Sequence, residues 1–244
     1  MRDLGKELTG RKKLAIDTPC LVVDLDLLDE NLQKMQARVK AAGKALRPHA
    51  KTHKCSTLAK MQVANGAVGV CAAKVSEAEA LVEAGMSGVL VTGPVAGREK
   101  VNRLVSLLGR APFLMAVVDH PGTVRLLEGR LAEKDRRLDV LLDVDVGHRR
   151  TGIAPGKAVE LAEEILANPH LRLRGIQAYA GHVQHIPRYE DRKSASREAL
   201  KKAAAVFRQL QAREASCTVF SASGTGTARI DLSVTELTEL QAGS

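Results

Sequence analysis

Short apolar runs alternate along this chain with longer amphipathic stretches, and that alternation restricts the fold more than any other feature. The run Val140-Leu141-Leu142 is typical: consecutive branched residues with no polar alternation mark a strand buried on both faces, as in a parallel sheet covered by helices. Such runs predict strands at 21–24, 45–51, 67–73, 88–92, 112–118, 138–146, 171–179 and 217–222. Helical spacing lies between them. Leu28, Leu32, Met35 and Val39 recur at intervals of three and four within 26–42, and similar patterns cover 75–84, 97–108, 122–134, 158–167 and 192–213. Strand–helix units repeated about every 25 to 40 residues fit a doubly wound sheet or a (β/α)8 barrel. The pattern favours the α/β TIM barrel, with its eighth strand at 235–243 against the C-terminus.

Composition removes several function classes. The chain has 244 residues, 45% of them hydrophobic, enough for a sizeable core. Cys20, Cys55, Cys71 and Cys217 are scattered and form no C-x-x-C pair, which argues against a disulfide framework. No apolar run approaches the roughly 20 residues that span a bilayer, and no membrane partner is expected. The basic leader 1–16, with Arg2, Lys6, Arg11, Lys12 and Lys13, lacks the apolar segment of a secretory signal, so a cytoplasmic protein is expected. A net charge of +9 could attract nucleic acid, but three Phe and two Tyr are too few for a stacking platform. The partner expected instead is a small molecule.

Four segments could carry chemistry. In Arg47-Pro48-His49-Ala50-Lys51-Thr52-His53-Lys54, alternation puts Arg47, His49 and Lys51 on one strand face, with Lys51 at the C-terminal end where barrel active sites lie. A partly desolvated lysine among cations has a depressed pKa and becomes a nucleophilic amine. A solvated basic turn is the plainer alternative, and Lys74, at another strand end, competes for the role. Ser221-Ala222-Ser223-Gly224-Thr225-Gly226-Thr227 follows the seventh barrel strand, and its small residues leave backbone N–H groups free to surround an anion. Asp143 and Asp145 share a face and could counter Arg47 or Arg150, while Arg150 could donate to an anionic cofactor oxygen. Tyr179 shares a face with Gln177; His182 and His185 are spaced for joint metal ligation on a helix, yet no third ligand is near them, so no metal site is expected. An amine and an anion cradle at one barrel mouth suit pyridoxal phosphate (PLP).

Taken together, TPCLVVDLD, LRPHAKTHKC, GVCAAKVSEAEAL, LLDVDVGHRRTGI, GIQAYAGHVQH and VTELTELQAGS resemble, in this order, the D-threonine aldolase / D-serine dehydratase-like group of alanine racemase-like, fold type III PLP enzymes. The resemblance covers about residues 17–244 and implies a PLP-binding barrel domain there. It implies that Lys51 carries the cofactor as a Schiff base, that Arg150 approaches the phenolic oxygen of its ring, and that Tyr179 lines its pocket. It further implies that Ser223, Gly224, Thr225 and Gly226 hold its phosphate, with His49 beside Lys51 in the cofactor set. The chemistry implied is lyase action on D-3-hydroxyamino acids, either retro-aldol cleavage or dehydration. The group's loop usually reads Gly-Gly-Gly-Thr-Gly; here Ala222 and Ser223 replace the first two glycines, which predicts strain if either needs a positive φ. Family members also continue into a C-terminal β-domain bearing divalent-metal ligands that this chain lacks. The expectation is therefore a weakened site, with a non-catalytic PLP-binding or homeostasis-type barrel as the alternative; a homodimer is left open.

Overall fold

In the computed structural model, which describes residues 10–243, eight parallel strands form one sheet. They are β1 Ala45–Leu46, β2 Val70–Ala72, β3 Val89–Val91, β4 Met115–Val118, β5 Leu138–Asp143, β6 Leu171–Ala178, β7 Val219–Ala222 and β8 Glu239–Leu240. Neighbours follow the order β1-β8-β7-β6-β5-β4-β3-β2. The ring closes where His49 bridges Cys71: the Ala50 amide donates to the Cys71 carbonyl at 2.9 Å and the Cys71 amide to the Pro48 carbonyl at 2.8 Å. This is the (β/α)8 barrel of the expectation, and β8 falls within the predicted 235–243.

The helices are α1 Leu25–Ala41, α2 Ser56–Ala64, α3 Val75–Glu83, α4 Arg98–Leu107, α5 Pro121–Glu133, α6 Ala158–Leu166, α7 Tyr189–Gln211 and α8 Ala228–Asp231. Local chemistry sets their starts. Asp24 caps α1 by accepting from the amides of Asp26 and Leu27, both at 3.1 Å. His120 Nδ1 accepts from the Gly122 amide, and Pro121 occupies the first turn of α5, where its missing N–H costs nothing. Helix α2 has no apolar stripe to announce it; Ala59 is its one buried residue.

Residues 21–24 form no strand. Leu21 is fully exposed and no ladder includes it, because a closed barrel offers no free edge to pair with. Of the expected leader 1–16, residues 1–9 lie outside the described residues, and Lys13–Ala15 forms a single 3-10 turn. Ser244 lies outside them as well.

Two apolar layers hold the fold. The larger fills the space between sheet and helices, with Val39, Leu104, Leu127, Ile165, Phe207 and Phe220 among its most buried members. The smaller fills the barrel interior: Cys71, Leu90, Met115, Val117 and Leu141, with Val219 against them. Below it, Arg47 and Glu239 form a buried two-pronged ion pair at 2.9 and 3.0 Å, and Arg47 also donates to the Gly88 carbonyl. This corrects the expected pairing of Arg47 with Asp143 or Asp145; the β1–β8 register places Ala45 beside Glu239, which brings the glutamate to the arginine. Gly175, at φ +140°, marks the register shift between β5 and β6, and a Cβ there would lie 1.8 Å from the Val219 carbonyl oxygen. The apolar plug closes the lower barrel, so chemistry is confined to the upper, C-terminal mouth.

Candidate active site

A polar layer floors the mouth. The Gln177 amide donates to Asp143 Oδ1 at 2.9 Å and to the Thr92 carbonyl at 3.0 Å. Gln241 donates to Gln177 Oε1 and to Ser221 Oγ, both at 3.0 Å. Asp143 is buried, its second oxygen has no partner, and burial pushes its carboxyl up to about 6. Asp145, expected to act with it, instead stays at the rim and accepts from the amides of Gly147 and Arg149 as a turn cap.

Above this floor opens a cavity of about 360 Å³, within the range of roughly 300–1,000 Å³ usual for small-molecule sites. His49, Lys51, Arg150, Tyr179, Gly224, Thr225 and Gly226 all line it, so the structure brings seven of the eight expected residues to one place. No lining residue is Asp or Glu, which suits an anionic occupant.

Strand β1 is shorter than the expected 45–51, and Lys51 stands in the turn just past the His49 bridge. Its side chain is half-buried, with Nζ 5.4 Å from the Tyr179 ring centroid. Burial first, and then the Arg150 charge, lower its pKa and favour the free amine. Lys74, the competing lysine, is exposed at the start of α3 and does not line the cavity. His49 is held as a neutral ring. Its Nδ1 accepts from the Lys51 amide at 3.4 Å, so Nε2 carries the proton to Thr92 Oγ1 at 3.0 Å, and the Thr92 hydroxyl donates to the Ala72 carbonyl at 3.2 Å. Burial and the neighbouring Lys51 push its pKa down to about 3.

The loop after β7 forms the opposite wall. Ser223 has φ +70°, the strained conformation anticipated for a non-glycine there. Its side chain is turned away from the cavity toward the Gly224 carbonyl at 3.3 Å and Thr227 Oγ1 at 3.5 Å. Gly224 and Gly226 are packed on Gln184: a Cβ at Gly224 would lie 2.6 Å from Gln184 Oε1, and one at Gly226 2.3 Å from the Gln184 carbonyl oxygen. The loop is tied to the end of β8, where the Gly243 amide donates to Thr225 Oγ1 at 3.2 Å.

Sequence reasoning missed Thr92, Thr151, Gln184 and Gln241 as lining residues. Thr92 and Gln241 each stand one residue past a strand's C-terminal end, the one signal that could have found them. His182 and His185 diverge: the His182 ring lies 5.8 Å from that of His148, whereas His185 lines the cavity. Among the described residues no group of three or more His, Cys, Asp or Glu side chains could hold a metal, and no helix is long and apolar enough to cross a membrane.

The residues fit PLP on this geometry: an amine of lowered pKa, a free guanidinium and a glycine loop face one cavity that has no acidic lining. Comparison with known proteins agrees. Residues 23–244 match the family model of the alanine racemase N-terminal domain. The chain is 37% identical over 230 residues to a D-threonine aldolase from an Arthrobacter species, covering 94% of this chain and 60% of that protein. It is 36% identical over 239 residues to a 3-hydroxy-D-aspartate aldolase from Paracoccus denitrificans, covering 97% and 62%. The solved structure of D-threonine aldolase from Filomicrobium marinum superposes with a TM-score of 0.88 at 37% identity, over 94% of this chain and 62% of that one. The chain thus spans about 60% of the length of these relatives.

Proposed function

This chain belongs to the alanine racemase N-terminal domain family, and from that premise we propose that it is the cofactor-holding barrel of a PLP-dependent lyase acting on D-3-hydroxyamino acids. Retro-aldol cleavage of D-threonine-like substrates and dehydration of D-serine-like ones both fall within the reading. The carrying observation is that Lys51 and the 224–226 loop line one cavity. When bound, PLP supplies an electron sink for bond cleavage at the substrate Cα.

The chain's own residues then have distinct tasks. Lys51 presents an amine whose pKa is lowered by burial and by the Arg150 charge, and it is the residue that would hold the cofactor covalently. Arg150, which has no ion-pair partner among the described residues, offers its fork of N–H donors to an anionic ring oxygen. The Ser223–Gly226 loop would hold the cofactor's phosphate through its backbone N–H groups. Tyr179 walls the site beside Lys51 and orients the amine through its ring face. His49, neutral and bonded on both ring nitrogens, keeps the Lys51 turn in place and adds no competing charge.

The same reading takes the protein as cytoplasmic, and a homodimer is compatible with it. A second reading, a PLP-binding barrel without turnover, is favoured by the cofactor-facing set lying together in one cavity of the barrel itself. The test is to reconstitute the chain with PLP and a divalent metal and to assay release of acetaldehyde, glyoxylate, pyruvate or oxaloacetate from D-threonine, D-3-hydroxyaspartate and D-serine. Product release supports the lyase. Cofactor bound without product supports the carrier, and no bound cofactor rejects both.

A further inference from the structure

Behind the glycine loop lies a buried chain of side chains of which Gln184 alone lines the cavity. Asp231, 1% exposed, ends the four-residue α8. Its Oδ1 accepts from Ser196 Oγ of α7 at 2.6 Å, and its Oδ2 accepts from Thr227 Oγ1. Gln184 Nε2 donates to Thr227 Oγ1 at 3.0 Å and to the Ala180 carbonyl at 3.3 Å. Gln184 Oε1 is buried without a partner, beside Gly224.

We propose that Asp231 is a positioning residue which, acting through Thr227 and Gln184, fixes the 223–227 loop in its anion-binding conformation, so that a phosphate is held by a carboxylate it never touches. The inference rests on the PLP reading above and names what shapes the phosphate end of that site.

A hydroxyl has one proton. Thr227 gives its proton to Asp231, so its oxygen can only accept, and the group facing it must be the NH2 of Gln184. The carboxylate therefore dictates the polarity of the whole chain. A flipped Gln184 amide would set oxygen against an oxygen whose proton is already committed. With the amide fixed, Gly224 packs on the Gln184 side chain, while Gly226 packs on its main-chain carbonyl, and a Cβ at either glycine would lie within 2.6 Å of Gln184. Ser223 is held from the same side: its Oγ lies 3.5 Å from Thr227 Oγ1, within reach of the Asp231 carboxyl. A non-glycine residue at φ +70° costs on the order of 1–3 kcal/mol and persists only where its surroundings over-determine it. This network supplies that determination.

Thr227→Val removes the hydroxyl at nearly constant shape, Thr227→Ser restores it, and Asp231→Asn replaces one acceptor oxygen by a donor. Two measurements read the effect on the 244-residue chain: hydrogen exchange of the 223–227 amides without ligand, and dissociation constants for PLP and for pyridoxal, which lacks the phosphate. The proposal expects faster loop exchange in Thr227→Val and Asp231→Asn, and PLP affinity lower by roughly ten-fold, about 1.4 kcal/mol. Pyridoxal affinity stays unchanged, and Thr227→Ser behaves like the parent. Wild-type exchange in both disrupted variants overturns the proposal, as does equal weakening of PLP and pyridoxal. Should the parent chain bind no PLP at Lys51, the cofactor reading fails on its own, while loop exchange still decides the role of Asp231.

Discussion

Lys51 Nζ stands 5.4 Å from the centroid of the Tyr179 ring, joining the turn after β1 to the end of β6 across the cavity mouth. The ring face favours the charged amine, whereas burial and Arg150 oppose it. These influences separate by mutation. Tyr179→Leu removes the attraction and shifts the pH profile of Lys51 acylation to lower pH. Arg150→Gln removes a repulsion and shifts it to higher pH. Rates of modification at Lys51, followed by peptide mass spectrometry across pH, check both directions.

Gly224 and Gly226 both pack on Gln184, but on different parts of it. A methyl at Gly224 meets the side-chain amide, which can rotate away by giving up its bond to Thr227; one at Gly226 meets the main-chain carbonyl, which cannot. Gly226→Ala is expected to cost about 1–3 kcal/mol of stability and Gly224→Ala less. Urea unfolding of the two variants gives the order.

Asp143 titrates at about 6 in the fold, above the usual carboxylate value, because it is buried. Between roughly pH 4 and pH 6 the folded state therefore holds a proton that the unfolded state has released. Its contribution is most favourable below that window and is lost as pH rises through about 6. Asp143→Asn should accordingly gain stability relative to the parent as pH is raised from about 4 to 7. Thermal unfolding midpoints of both proteins across that range test the sign.

The Arg47–Glu239 pair lies inside the barrel with both side chains almost fully buried. Glu239→Gln leaves an uncompensated buried guanidinium and should cost about 3–5 kcal/mol. Replacing both partners by Met and Leu should cost much less, since no charge is then stranded. A double-mutant cycle in urea measures the difference.

The parts of this molecule legible in the sequence are those set by local pattern. Doubly buried runs such as Val140-Leu141-Leu142 marked the strands, and the rule that barrel sites gather at strand ends pointed to Lys51, Arg150, Tyr179 and the 223–226 loop. Features depending on register were not legible. Arg47 sits 192 residues from Glu239, and only the β1–β8 alignment makes them neighbours. Gln184 and Gln241 fall inside quoted segments but carry no charge to single them out there, and Ser196 meets Asp231 only through the packing of α7 on α8. The run Leu21-Val22-Val23 has the composition of a strand, but strand formation needs a partner edge and the closed barrel has none to give.

The central claim is that the amine at position 51 takes the cofactor, and borohydride reduction of the PLP-reconstituted chain followed by peptide mapping addresses it most directly. The account predicts one reduced pyridoxyl adduct, on Lys51, which Lys51→Ala abolishes and Lys74→Ala leaves intact. An adduct on Lys74, label scattered over surface lysines, or none at all would contradict it.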